Sequence, residues 1–322
     1  CIMSDDRASS ALDRLCSYVS LPLHFEIEGL TPEESKADGV VQALDVDWFR
    51  ALNESLQGDI IRWLSLLGHC VLHVVSWDVR ADTGRATPVV ECWHQRNFRF
   101  DTQEGRWLAK VATFGASSEE TPIEFGTGQW VLLTRYGDNW RSCMKAPWRG
   151  VSRFWLLKQF AAVDWAASSE RHGQGQTYVD KQGDGGARLN QQQREALAGQ
   201  IADLGRNGVI VLPDGFRASL VTDGANTYQT FLQQITVANS AIAIGLLGTN
   251  LTTEVQGGSL AAASVHQSVD AQKAAGLLAG ISTGMQQQLW TLWARLNFGD
   301  GAVAPYAVWD TEPPPDRESQ AK

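Results

Sequence analysis

Two long amphipathic patterns constrain this chain more than any other feature of its sequence. Over Trp148 to about Arg171, the residues Phe154, Leu157, Ala161 and Trp165 recur at spacings of three and four, with Arg153, Lys158 and Asp164 between them. Over Asn226 to Leu247 the same period runs through Tyr228, Phe231, Leu232, Ile235, Asn239 and Ile242. Each predicts a helix with one apolar face. At about 1.5 Å per residue either helix reaches roughly 30 to 36 Å, which is long for an ordinary globular domain. Residues 173 to 224, between them, read as a compact α/β insert. Asn190 with Gln193 makes a capping box, Leu197, Ile201 and Leu204 stripe a short helix, and Val209 to Leu212, Pro213-Asp214-Gly215 and Phe216 to Val221 predict a hairpin. Such a layout holds a small module at the end of a two-helix stalk.

The residues before the first long helix predict an α+β domain with an antiparallel sheet. Asp5 to Leu15 reads as an amphipathic helix and Tyr18 to Ile27 as a strand. Thr31-Pro32-Glu33-Glu34 starts a helix expected to run to Leu44, and a further helix carries Trp48, Leu52, Leu56, Ile60, Trp63, Leu64 and Leu67 to a stop at Gly68. The period then changes to two: His69, Val71, His73 and Val75 alternate with Cys70, Leu72 and Val74. Further strands are expected at Val89 to Trp93, Phe98 to Phe100, Trp107 to Thr113 and Trp130 to Arg135. After the second long helix, residues 248 to 260 break the pattern and a helix resumes to Leu296. The stretch 313 to 322, with Pro313-Pro314-Pro315, predicts an unpacked tail. The first residue, Cys1, is not methionine, so the numbering is expected to start inside a longer or processed polypeptide.

Composition narrows the function classes. With 322 residues and 43% hydrophobic content the chain can bury a sizeable core. Its 27 basic and 36 acidic residues leave a net charge of -9, which argues against a module that grips nucleic acid by phosphate contacts. A wall that merely encloses DNA is compatible with that charge, because repulsion keeps a duplex from sticking. Five cysteines, far apart in sequence and without a CxxC pair, read as reduced intracellular thiols. No strongly apolar run approaches the roughly 18 residues of a membrane span, so no membrane partner is expected.

No stretch presents an active site. Gly280-Ile281-Ser282-Thr283-Gly284 matches a nucleophile elbow, the one basis for a serine hydrolase using Ser282, but its flanks are helical where the elbow needs a strand. His69, His73, Cys92 and His94 share no ligand spacing, so neither a metal nor another cofactor is expected. Glu119-Glu120 reads as part of a solvated polar loop. Gly173-Gln174-Gly175 and Gly183-Asp184-Gly185-Gly186 read as loops, too short for a phosphate cradle. The thirteen tryptophans fall largely at helical core spacing, at Trp63, Trp155, Trp165, Trp290 and Trp293.

Six short segments, in order, resemble the portal family of Mu-like bacteriophages. They are Asn97-Phe98-Arg99-Phe100-Asp101; Arg153 with Trp155 and Lys158; Glu170 with Gly173; Leu246-Leu247-Gly248-Thr249-Asn250-Leu251-Thr252-Thr253-Glu254-Val255; Ala261 to His266; and Leu296-Asn297-Phe298-Gly299. The family often has proline after the glycine at Gly173, where this chain has Gln174. The resemblance implies a portal-like α+β fold: residues 1–147 a wing, 148–172 and 225–247 the stem helices, 173–224 the clip, 248–260 the channel loop, and 261–312 a wing helix with a closing strand. It implies a structural protein and not an enzyme: a ring, usually of twelve copies, at one capsid vertex of the virion, assembled in the host cytoplasm. Implied partners are double-stranded DNA, the terminase large subunit, a head-tail adaptor, and the major capsid and scaffold proteins. A C-terminal crown would lie beyond Lys322. Implied channel-loop residues are Thr249, Asn250, Thr252, Thr253, Glu254, Gln256, Gly257, Gly258 and Ser259; implied stem-packing residues are Phe154, Leu157, Trp165, Tyr228, Phe231, Ile235 and Ile242. Another oligomeric head-tail adaptor or capsid-associated protein is the alternative within the same class.

Overall fold

The structure, a computed structural model, describes residues 2–18, 24–111, 119–137, 139–173, 176–181, 190–202, 212, 216–221, 227–249 and 260–309. The chain divides into two compact units, a body made of Cys1–Arg153 with Ser240–Lys322 and an inserted unit, Phe154–Asn239. The two long helices run from one unit into the other.

The body opens with α1 (Asp6–Tyr18), β1 (His24–Glu26), α2 (Pro32–Ala37), α3 (Gly39–Ala51) and α4 (Glu54–Leu67). The capping box at Thr31 forms as the sequence predicts, with Glu34 N donating to Thr31 Oγ1 at 3.3 Å and Thr31 N to Glu34 Oε2 at 2.9 Å. The helices it begins are shorter than their periodicity implied. Asp38 Oδ1 accepts from Val40 N and restarts the chain as α3, and Asn53 Oδ1 accepts from Leu56 N and starts α4. Trp48 and Leu56 therefore lie on different helices. The apolar period crosses both breaks because it records which residues are buried, not whether the backbone is continuous. In the expected strand from Tyr18, Tyr18 instead ends α1, and among the described residues of that stretch His24–Glu26 is the strand.

Seven further strands build the body. β2 (His69–Val79) lies between β3 (Ala86–Cys92) and β7 (Trp130–Thr134), both antiparallel, and β5 (Arg106–Val111) lies between β4 (Phe98–Asp101) and β6 (Glu119–Ile123). Glu119 and Glu120 thus sit on a strand and not in a loop. Glu120 pairs with Arg99 of β4, which offsets the poor strand propensity that hid β6 from the sequence. Near the C-terminus β10 (Tyr306–Val308) pairs with β1.

α5 (Ser142–Lys145) and α6 (Trp148–Gly173) follow β7; after the insert come α8 (Thr227–Leu247), α9 (Leu260–Met285) and α10 (Thr291–Phe298). The last two are joined by one π-helical turn, Gln286–Trp290. By length and composition Tyr228–Leu247 would suffice to cross a membrane, a property that contiguous-run reading missed. Its last turns, with Ile242, Ala243, Leu246 and Leu247, are instead buried in the body.

An aromatic chain forms the centre of the body: Phe25 to Trp48 at 5.2 Å, Trp48 to Trp290 at 5.4 Å, and Trp290 to Trp293 at 6.0 Å between ring centroids. Beside it the buried carboxylate of Asp47 accepts from Arg85 Nε at 2.8 Å, Arg85 Nη2 at 3.0 Å and Trp293 Nε1 at 3.1 Å. One group thereby ties α3, the turn just before β3, and α10. Three amide side chains repeat a second device, each pairing with both backbone groups of one strand residue. Gln95 does so at Val71, Gln288 at Leu132 and Asn297 at Ala86, with every bond between 2.7 and 3.2 Å. Each amide stands in for a neighbouring strand and satisfies the peptide group where pairing stops.

In the inserted unit, β8 (Gln176–Lys181) pairs antiparallel with β9 (Phe216–Val221), and α7 spans Gln191–Ala202. The Asn190 capping box forms, with Gln193 N donating to Asn190 Oδ1 and Asn190 N to Gln193 Oε1. Phe216–Val221 pairs with the distant β8, a partner that local turn chemistry did not suggest, and Leu212 is not in a strand; the rest of the predicted hairpin, residues 209–211 and 213–215, lies outside the described residues.

Candidate functional site: the paired long helices

α6 carries two apolar faces on opposite sides. Phe154, Ala161 and Trp165 lie on one; Ala161 is buried and Phe154 and Trp165 are half-buried within the chain. Leu156, Phe160 and Val163, about half a turn away, lie on the other and stay exposed, Phe160 and Val163 at 65%. Leu157, assigned by sequence to the first face, is exposed at its margin. α8 repeats the arrangement: Phe231 and Ile235 are half-buried, Ala238 and Ile242 are buried, and Tyr228, at the start of the helix, is exposed, while Val237 and Ile244 form an exposed opposite side. The apolar stripe read from the sequence is therefore mainly the stripe that packs inside the chain. Periodicity finds an apolar face but cannot say what covers it.

Small residues set the closeness of packing around these helices. A Cβ on Gly245 of α8 would come within 2.8 Å of Val151 Cγ2 of α6. α8 ends at Gly248, whose φ of 85° is left-handed and whose N–H bonds Ile244 O at 2.8 Å. Thr249, the first expected channel-loop residue, is buried. Asn250, Thr252, Thr253, Glu254, Gln256, Gly257, Gly258 and Ser259 lie outside the described residues.

The Ser282 motif is a packing motif. Ser282 lies within α9 and its Oγ donates to Ala307 O at 2.9 Å, where an elbow would need a strand-to-helix turn. A Cβ on Gly280 would strike Thr134 O, and one on Gly284 would come within 2.7 Å of Leu133 Cδ2. These two glycines let α9 lie directly against β7.

The histidines and cysteines of the sheet do not converge on a metal, and no group of three or more ligand residues occurs among the described residues. His73 packs between Trp93 and Trp130, and His69 against Trp107, with burial holding both imidazoles below their ordinary range. The described cysteines are free, yet Cys70 and Cys92, distant in sequence, bring their Sγ atoms within 3.6 Å across adjacent strands. Burial, and then the neighbouring thiol, raise the Cys70 pKa well above the usual range, so it is an inert thiol.

The fold is that of phage portals. A protein from the virion of a native gene transfer agent particle superposes with a TM-score of 0.63 at 12% identity, over 99% of this chain and 84% of that one. An HK97-family phage portal protein from Corynebacterium diphtheriae superposes with a TM-score of 0.53 at 10% identity, over 96% and 94%. No curated protein matches the sequence. The family described as the portal protein of Mu bacteriophage matches residues 1–322, and the chain belongs to that family.

Proposed function

We propose that this chain is the subunit of a ring at one vertex of a phage capsid, through which a terminase motor packages DNA and through which the DNA later leaves. In this reading the body is the wing, α6 and α8 are the stem, residues 173–224 are the clip, and 248–260 are the channel loop. The head-tail adaptor, capsid and scaffold proteins bind the outside of the ring. The protein does its work as a conduit, without chemistry of its own.

The observation that carries this reading is the uncovered apolar face of the inserted unit. Leu156, Phe160, Val163 and Val237 are large, apolar and exposed on helices whose other sides are already packed. A row of this kind in a soluble particle is an interface. In a ring each copy offers one surface to the next and a different one to the previous copy, which suits a helix pair with two distinct outer sides.

The test is an image of the purified wild-type particle down its axis, with its mass. A closed ring with a bore wide enough for a duplex supports the proposal, and a stable monomer at micromolar concentration refutes it. Deleting Thr252 to Gly258 should leave the ring intact and lower the DNA content of particles; full DNA content after the deletion would remove the channel role.

A further inference from the structure

The cations of this acidic chain are not distributed evenly. Between Arg135 and Lys158 stand Arg135, Arg141, Lys145, Arg149, Arg153 and Lys158 against a single acid, Asp138. Elsewhere several arginines find carboxylates: Arg62 bonds Asp13 at 2.9 Å, Arg85 bonds Asp47 at 2.8 Å, Arg295 bonds Asp300 at 3.2 Å, and Arg99 bonds Glu120. Arg141, Lys145, Arg149 and Arg153 are all exposed, and no carboxylate among the described residues pairs with any of them.

They also form a row. The four recur at every fourth position in sequence: Arg141 ends the 3-10 turn Asn139–Arg141, Lys145 ends α5, and Arg149 and Arg153 lie in α6, with Arg149 Nη2 reaching back across the extended Ala146 to Met144 Sδ at 3.1 Å. Within α6 this spacing sets Arg149 and Arg153 about 6 Å apart axially. The Arg141 guanidinium lies 5.9 Å from the Trp140 ring centroid and that of Arg149 lies 5.5 Å from Trp148, so aromatic faces hold two forks in place. Trp140 is itself fixed by stacking on Phe100 at 5.4 Å. The row does not help the helix. Arg149 sits in the first turn of α6, where a cation opposes the helix dipole and where no acidic residue is found.

We propose that Arg141, Lys145, Arg149 and Arg153 form a contact patch for the phosphate backbone of double-stranded DNA, held without sequence readout. The inference deepens the conduit reading by naming where the chain touches its cargo. Evenly spaced, mostly guanidinium donors match a polymer with a phosphate every 3.4 Å along each strand. A localised patch on a net-negative protein gives a weak, salt-sensitive grip that a moving duplex can leave.

The test compares the full-length protein with R141Q/K145Q/R149Q/R153Q, using fluorescence anisotropy of a labelled random-sequence duplex at 50 and 200 mM salt. With about four phosphate contacts, wild-type affinity should fall on the order of 100-fold across that range. The glutamine variant should bind at least about tenfold more weakly at 50 mM, with a much shallower salt slope. The charge-preserving R141K/R149K/R153K variant should restore most of both, which also controls for folding. Equal binding and slope in wild type and the glutamine variant would overturn the proposal. So would competition by polyglutamate as strong as by unlabelled duplex, or a variant whose particle mass falls while wild type binds no duplex; those results would assign the patch to a protein partner. Failure of the wild type to form rings would count against the conduit while leaving the patch test readable, since each copy carries the whole row.

Discussion

The body and the inserted unit use apolar residues in opposite ways. In the body, Trp48, Trp290 and Trp293 are almost wholly buried, and Asp47 has every close donor it needs. In the inserted unit, Ala161 and Ala238 are the buried side chains among the described residues, while Phe160 and Val163 face outward. The body closes its own core, while the inserted unit leaves large apolar side chains uncovered, and burial that one copy leaves undone is available to drive association.

The comparison breaks first at Phe160. Phe160→Asp should abolish the ring entirely while moving the thermal midpoint of the monomer by less than about 3 °C, since exposed substitutions change stability by only about 0.5 kcal/mol. Ring mass by light scattering and melting of the dissociated chain check the two halves. A destabilised monomer would show that the face is internal. Ile235→Asp should also stop assembly, but by damaging the unit's own packing, and the contrast between the two variants separates the faces.

Asp47→Ala attacks the body instead. It leaves a guanidinium and an indole N–H without their acceptor, at a cost of about 3 to 5 kcal/mol in denaturant unfolding; a loss under about 1 kcal/mol would show that the hub is dispensable. Gln288→Leu removes one strand surrogate and strands the peptide group of Leu132, costing about 1 to 3 kcal/mol. The same replacement at Asn297 should match it if the three amides share one role.

The smallest effect is on pH. His69 and His73 are held below the ordinary imidazole range chiefly by burial, so the folded chain binds fewer protons than the unfolded one. Their contribution is complete above about pH 6.5 and is lost as pH falls through the lower folded values. The unfolding midpoint should therefore drop between pH 7.5 and 5.5, and the variant H69Q/H73Q should flatten that drop. An unchanged slope would place the acid sensitivity elsewhere.

Much of the fold was legible in residues with strong local chemistry. Thr31 with Glu34 and Asn190 with Gln193 announced helix starts because a capping box closes within four residues, and Gly68 announced a stop because its left-handed φ suits glycine. Where the partner was remote, the sequence misled. β6 hides behind Glu119-Glu120 until Arg99 meets it, β9 pairs with β8 across an intervening helix, and Gly280 and Gly284 look like an enzyme motif until β7 lies against them.

By itself, then, the sequence determined that there would be two long striped helices around an insert and a mixed α+β body, because periodicity and caps are set by neighbours a few residues away. Only the tertiary structure decided which stripe of α6 is covered, which amides replace a missing strand, and which cations pair with no acid among the described residues, because burial and pairing depend on residues that the chain brings together from far apart.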